Sequence, residues 1–193
     1  MAKEVDANEN IEATNELNFV DGNNIFIHGD FNDTISKKVV PQLIKEIDKQ
    51  KQMKDGILKF YINSDGGWVS SLQDLLALVE IAKKNNIVVE TYVFGRAYSC
   101  GSLLACAGTK GHRYISYNAE HLCHLGYSST GTVRNDIELG RNAERVQNHF
   151  NKVRLLYKKY ANVKNLDEVI MHDDYYIRGN DIIENGLADK YVD

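Results

Sequence analysis

Two apolar, β-branched runs separated by a single amphipathic stretch constrain this chain more than any other feature. Ile57 to Asn63 and Ile87 to Phe94 each read as a strand. Between them Val69, Leu72, Leu75, Leu76, Val79 and Ala82 recur at helical spacing, which predicts a helix with one apolar face. Two strands joined by a crossover helix pair in parallel. The unit is βαβ, and it commits the chain to an α/β fold.

The remaining elements are shorter. Asn24 to His28 reads as a first strand. A helical pattern then runs from Asp33, a candidate N-cap, through Ile35, Val39, Leu43, Ile44 and Ile47. Pro41, the only proline, either kinks this helix or starts its main part, because proline is tolerated in a first turn but not in an interior. Arg113 to Ser116 and Glu120 to Leu125 are further strand candidates. Residues 126–131 form a Gly-containing link into a long helix, about Val133 to Asn162, where Val146, Phe150, Val153, Tyr157 and Tyr160 make one apolar stripe. That stripe is longer than one small core needs, so it serves either packing or an interface. A last helix, Asn180 to Asn185, stops at Gly186 before the strand-like Leu187 to Val192.

At 193 residues the chain fits one domain with a core that needs neither disulfide nor metal. Residues 23–193 are expected to form it, preceded by an acidic, mobile arm over residues 1–22. The net charge of −4 offers no basic footprint, so neither nucleic acid nor a membrane surface is the expected partner. The arm has no apolar core region of a secretory signal, and Cys100, Cys106 and Cys123 lie in apolar surroundings like reduced thiols. The expected location is the cytoplasm.

The chemistry concentrates at turns. Gly95-Arg96-Ala97-Tyr98-Ser99-Cys100-Gly101 converts a strand abruptly into a short apolar helix, with Ser99 at the turn. A hydroxyl there can act as a nucleophile beside the unpaired N–H groups of a helix start, or it can simply cap the helix. Ser64-Asp65-Gly66-Gly67 ends the preceding strand, and paired glycines there permit close approach to the backbone, as well as an ordinary turn. A serine nucleophile needs an imidazole base, a group to orient it, and donors for the oxyanion. His124 ends a strand before a Gly-containing loop. His121, three residues earlier, should face the opposite side of that strand, which disfavours a metal site shared with Cys123. His172-Asp173-Asp174 supplies carboxylates, for which a turn or capping role is the plainer reading.

Tyr61 to Gly67, Gly95 to Gly101, His124, and Asp174 ahead of Glu184-Asn185-Gly186-Leu187-Ala188-Asp189 occur in the order found in the proteolytic subunits of the Clp protease family. The chain resembles that family over about Asn24 to Asp189. The resemblance implies a ClpP/crotonase-like α/β fold of repeated β-α units, with the long helix of about residues 133–162 as a handle joining two heptameric rings. It implies Ser99 as nucleophile, His124 as general base and Asp174 as the group that orients it. Gly67 and Cys100 would supply the oxyanion hole through backbone N–H groups, and Cys100 is an alternative nucleophile. Peptide would lie extended between Gly66, Trp68 and Val69 on one side and Leu125 and Gly126 on the other. Tyr61, Tyr92 and Tyr114 match the apolar positions where Clp-family ATPases dock. No cofactor or metal is implied for this chain, and ATP would be used only by a partner ATPase.

Several residues depart from the family pattern. Asp65 and Trp68 stand where proline and an aliphatic residue are usual, and Cys100 where methionine is. Leu125-Gly126 replace Gln-Pro, Thr132 replaces Gln, and Asp173 replaces an arginine that pairs across the rings. A carboxylate at Asp65 pointing inward would oppose an oxyanion. The expected activity is that of a serine endopeptidase acting on unfolded polypeptides. The alternatives are a poorly active structural subunit of homo- or mixed rings, including rings with host ClpP subunits, and a crotonase-like acyl-CoA enzyme.

Overall fold

The structure, a computed structural model, describes residues 17–126, 135–172 and 174–192. Its strands are β1 (Asn18–Asp21), β2 (Asn24–Ile27), β3 (Ile57–Ser64), β4 (Val88–Tyr98), β5 (Arg113–Ile115), β6 (Glu120–Cys123), β7 (Tyr175–Arg178) and β8 (Lys190–Tyr191). Its helices are α1 (Val40–Gln50), α2 (Val69–Lys84), α3 (Cys100–Cys106), α4 (Asp136–Tyr160), α5 (Leu166–His172) and α6 (Asn180–Glu184). The main sheet has the order β1-β2-β3-β4-β5-β8 and is parallel from β2 onward. The βαβ unit is β3-α2-β4, as the periodicity predicts.

Residues 17–21 do not belong to a mobile arm. β1 pairs antiparallel with β2 around Gly22, and Asn18 is buried, its amide bonded to the Asp30 carbonyl and the Gly29 N–H. The hairpin satisfies backbone groups that an unpaired arm would leave to water. Residues 1–16 lie outside the described residues, as do 127–134, which include Thr132 and most of the link, and Asp173.

The sequence leaves open what Pro41 does, and the structure places it at the start of the regular helix. The chain becomes helical at Asp33, and residues Ile35–Val39 form a π-helical stretch in which the Val40 N–H reaches the Ile35 carbonyl. The wider turn accommodates the donor that proline lacks, and the regular helix α1 starts with Pro41 in its first turn. The capping group is Asn32 rather than Asp33: its side-chain oxygen accepts the Thr34 N–H at 2.9 Å. Asp33 instead pairs with Lys37 one turn on.

β4 runs four residues past the end of its apolar run, from Gly95 to Tyr98, and this places the site. Its first half pairs with β5 and its second half with β6. Between the halves the β3 register shifts, so that Ile62 faces Val93 but Ser64 faces Ala97. The Asn63 side-chain oxygen accepts the Arg96 N–H across this bulge, and a Cβ at Gly95 would lie 2.8 Å from that oxygen. A bulge bends a strand and re-aims the residues beyond it. Here the second half of β4 stays paired with β3 through Ser64 and Ala97, takes β6 in place of β5 on its other edge, and hands the chain on to Ser99 beside the branch formed by β6 and β7.

Leu58, Phe60 and Ile62 on one face of β3 join Leu43, Ile47, Leu72 and Leu75 of α1 and α2 in the core. The opposite face carries an aromatic ladder. Phe19, Phe26, Tyr61, Tyr92 and Tyr114 sit opposite one another in register across five strands, with ring centroids 4.5 to 5.1 Å apart. Helix α4 opens with Asn135 accepting the Glu138 N–H and carries Lys158 and Lys159 in its last turn, both favourable to the helix dipole. Of its apolar stripe only Val153, Tyr157 and Tyr160 are buried, whereas Ile137 and Leu139 on its first turns are exposed. The helix thus leaves the body of the chain, with its C-terminal turns packed and its N-terminal turns free of the core.

Arg113 ties the far end together. Its guanidinium is buried, donates to the carbonyls of Cys106, Tyr160 and Gly186, and pairs with Asp189. One side chain thereby satisfies the ends of α3 and α4 and the turn after α6.

Candidate active site

Strand register alone brings three sequence-distant residues together. Tyr98 pairs with Leu122, so Ser99 and the residues after β6 emerge side by side, and the Ser99 N–H donates to the Leu122 carbonyl at 2.9 Å. Cys123 pairs antiparallel with Tyr175, so the next residues outward, His124 and Asp174, face each other. Ser99 Oγ is 2.7 Å from His124 Nε2, and His124 Nδ1 is 2.9 Å from Asp174 Oδ1. The expected residues therefore form one hydrogen-bonded chain.

Ser99 adopts φ 52° and ψ −114°, a conformation that costs a non-glycine residue about 1–3 kcal/mol. The strain is held by the bond to Leu122 and by the Leu103 N–H, which donates to the Ser99 carbonyl. The hydroxyl does not cap α3; it is turned toward the imidazole instead. Such a strand-to-helix turn projects the hydroxyl away from its own backbone.

The paired glycines pack against this turn. A Cβ at Gly66 would stand 2.7 Å from the Ser99 Cβ, and one at Gly67 would stand 2.4 Å from the Phe31 carbonyl oxygen. Phe31 holds the segment as a short parallel bridge, donating to the Gly66 carbonyl and accepting from the Trp68 N–H. Because successive peptide groups of an extended segment point to opposite edges, the Gly67 N–H and C=O face away from Phe31. That edge faces the Ser99 turn, since the Gly67 carbonyl accepts the Cys100 thiol at 3.2 Å. Gly66 is different: its N–H is taken by Ser64 Oγ. Cys100 opens α3, so its N–H has no carbonyl one turn earlier to bond. Burial pushes the Cys100 thiol up to about 11, so it stays protonated at neutral pH and does not suit a nucleophile.

The cleft beside Ser99 has a volume of about 410 Å³. Trp68, Val69, Leu125 and Gly126, all expected from the sequence, line it with Leu103, Val153 and His149. Trp68 is 56% exposed at its edge. Asp65 also reaches the cleft, but Arg96 holds its carboxylate at 2.6 and 2.8 Å. The charge that would oppose an oxyanion is thus already paired. Arg96 lies inside the motif, yet only the β4 bulge brings it across to Asp65.

His121 takes the opposite side of β6, as the spacing predicts. It is fully buried, with Nδ1 2.9 Å from Ser102 Oγ one turn into α3. Burial, reinforced by the charge of Arg113, lowers it from 6.5 to about 3, so the folded chain keeps it neutral. The unfolded chain binds a proton that the folded chain refuses between those values, so stability falls with acidification through that window. The loss from this group on moving from pH 7 to pH 5 is expected to be about 2 kcal/mol. Urea unfolding of the wild type and of a His121→Gln variant at both pH values checks it: the variant should lose most of this dependence, and equal slopes would refute the assignment.

Among the described residues no group of three or more His, Cys, Asp and Glu side chains could hold a metal ion, and no helix is long and apolar enough to cross a membrane.

Known proteins share this arrangement of sequence. The ATP-dependent Clp protease proteolytic subunit of Streptococcus sanguinis (strain SK36) is 28% identical over 172 residues, covering 88% of this chain and 84% of that protein. The subunit of the same description from Dehalococcoides mccartyi (strain CBDB1) is 30% identical over 171 residues, 87% of this chain and 80% of its own length. That of Streptococcus uberis (strain ATCC BAA-854 / 0140J) is 34% identical over 117 residues, 60% and 57% of the two chains. The profile of the family described as Clp protease matches residues 8–193. A match that runs through both glycine-rich turns, the imidazole and the carboxylate to the end of the chain leaves one assignment: the chain belongs to the Clp protease family.

Proposed function

We propose that this chain is the proteolytic subunit of a self-compartmentalised Clp-type serine protease that cuts unfolded polypeptides. The observation that carries this reading is the Ser99–His124–Asp174 hydrogen-bonded chain on a strained turn. Ser99 Oγ attacks the scissile carbonyl while His124 Nε2 takes its proton, and Asp174 holds the Nδ1–H side of the ring and stabilises the imidazolium that forms. The N–H groups of Gly67 and Cys100 receive the negative charge that develops on the carbonyl oxygen. His124 then protonates the departing amine, and water, activated by the same imidazole, hydrolyses the acyl-enzyme. The peptide lies extended between the Gly66 to Val69 and His124 to Gly126 segments, where backbone bonds make selection broad.

In this reading the subunits assemble as heptameric rings stacked in pairs, with the projecting α4 as the handle between rings, in the cytoplasm. The aromatic ladder containing Tyr61, Tyr92 and Tyr114 is the docking surface for a Clp-family ATPase, which alone uses ATP. A crotonase-like acyl-CoA enzyme is not favoured, because it would leave the serine-imidazole-carboxylate chain without a task. Nor does Asp65 support a poorly active structural subunit, since Arg96 neutralises it.

A fluorophosphonate reacts with an activated serine and with little else. Mass-spectrometric mapping on the assembled particle should find the label on Ser99 in the wild type and lose it in His124→Ala. Labelling of Ser99 that is indifferent to His124, or absent, would sink the reading.

A further inference from the structure

One polar side chain in the cleft has no part in the Ser99–His124–Asp174 chain. His149 lies on α4 one turn before Val153, at i and i+4, so both project toward the cleft, which they line together. Its Nε2 is 3.8 Å from the point where a Cβ on Gly126 would stand. The imidazole therefore overhangs the Leu125-Gly126 segment, and the absence of a side chain at Gly126 leaves that approach open. The ring meets Phe150 edge-on at 5.8 Å, and no hydrogen bond to another described residue occupies either ring nitrogen. The walls around it, Val69, Leu103, Leu125 and Val153, are apolar. A partly buried donor and acceptor at the end of an apolar recess beside a nucleophile selects what enters it.

Resting on the peptidase reading, we propose that His149 is a specificity-determining residue. It recognises the side chain on the acyl side of the scissile bond and favours one with an apolar stem and a neutral hydrogen-bonding tip, of which glutamine is the type. Asp65 is the carboxylate that lines the same cleft, and Arg96 already pairs it, so that pair supplies no net charge to draw a lysine, arginine or glutamate side chain into the recess. A neutral amide can donate to or accept from an imidazole, whereas methionine, of similar length, can only fill the apolar stem's share of the space.

The test uses fluorogenic peptides that differ only at that position (Gln, Met, Glu or Lys), cut by the assembled wild type and by His149→Leu, which keeps apolar volume but removes the ring nitrogens. One hydrogen bond to a partly exposed partner corresponds to about 3- to 10-fold in kcat/KM. The Gln-to-Met ratio should fall by that factor in His149→Leu, while cleavage of the Met peptide and fluorophosphonate labelling of Ser99 persist. An unchanged ratio with Ser99 still labelled overturns the role of His149 alone, as does a wild-type preference for Glu or Lys. If the wild type neither labels at Ser99 nor cuts any of the peptides, the peptidase reading fails and takes this proposal with it.

Discussion

Ser99→Ala is expected to lower peptide hydrolysis by about 10⁴- to 10⁶-fold, and Asp174→Asn by about 10²- to 10⁴-fold. The serine value reflects removal of the attacking atom, leaving only binding and the paired N–H groups to accelerate the reaction. The aspartate value is smaller because Asp174 is 39% exposed, so water can partly replace its oxygen at His124 Nδ1. An asparagine can also present an N–H to that nitrogen and stabilise the wrong tautomer. Neither substitution should reduce thermal stability by more than a degree or two, because the Ser99 hydroxyl makes no capping bond to α3. Steady-state kinetics on particles of matched assembly state measure this. A Ser99→Ala particle that retains a tenth of wild-type activity would transfer the nucleophile's role elsewhere.

The largest stability effect is expected at the opposite end of the sheet. Arg113→Ala removes the partner of Asp189 and the donors to Cys106, Tyr160 and Gly186, and breaking a buried pair of this kind costs about 3–5 kcal/mol. The Asp189 carboxylate also accepts the N–H groups of Gly111 and Arg113, so Asp189→Asn strips charge from a site built around it. Burial alone would raise this carboxyl, but the hydrogen bonds and charge of Arg113 outweigh it and hold Asp189 below its ordinary value. On acidification the unfolded carboxyl takes up a proton first, so the stabilisation is complete above the ordinary carboxylate range near pH 4 and is lost as pH falls below it. Urea denaturation at pH 7 and at pH 3 to 4 should show a large wild-type advantage at the higher pH that narrows at the lower. A loss under 1 kcal/mol for Arg113→Ala at pH 7 would refute the buried-pair account.

Much of the site is legible in the sequence, for physical reasons that differ by residue. Gly66 and Gly67 are readable because both positions demand backbone approaches that any side chain would block, and such demands show in the residue type itself. Ser99 and His124 are readable from their places at strand ends. β7 is not, although Tyr175, Tyr176 and Ile177 are good strand formers, because its four residues gain their structure by pairing with β6 rather than from any period of their own. α5 is equally silent, being one short helix whose Asp167 is held by Arg154 and Lys158 of α4. His149 carries no signal at all: a histidine on the exposed-looking half of a long amphipathic helix becomes a cleft residue only through the angle at which α4 leaves the body.

Periodicity, turn chemistry and motif order were enough to set the α/β class, the β3-α2-β4 crossover and the residue types that chemistry at Ser99 requires. Two outcomes needed the folded chain: where the Asp65 charge goes and which histidine is kept neutral in the core. They depend on strand register and on a bulge at Gly95, and register is a property of pairs of segments that neither segment encodes alone.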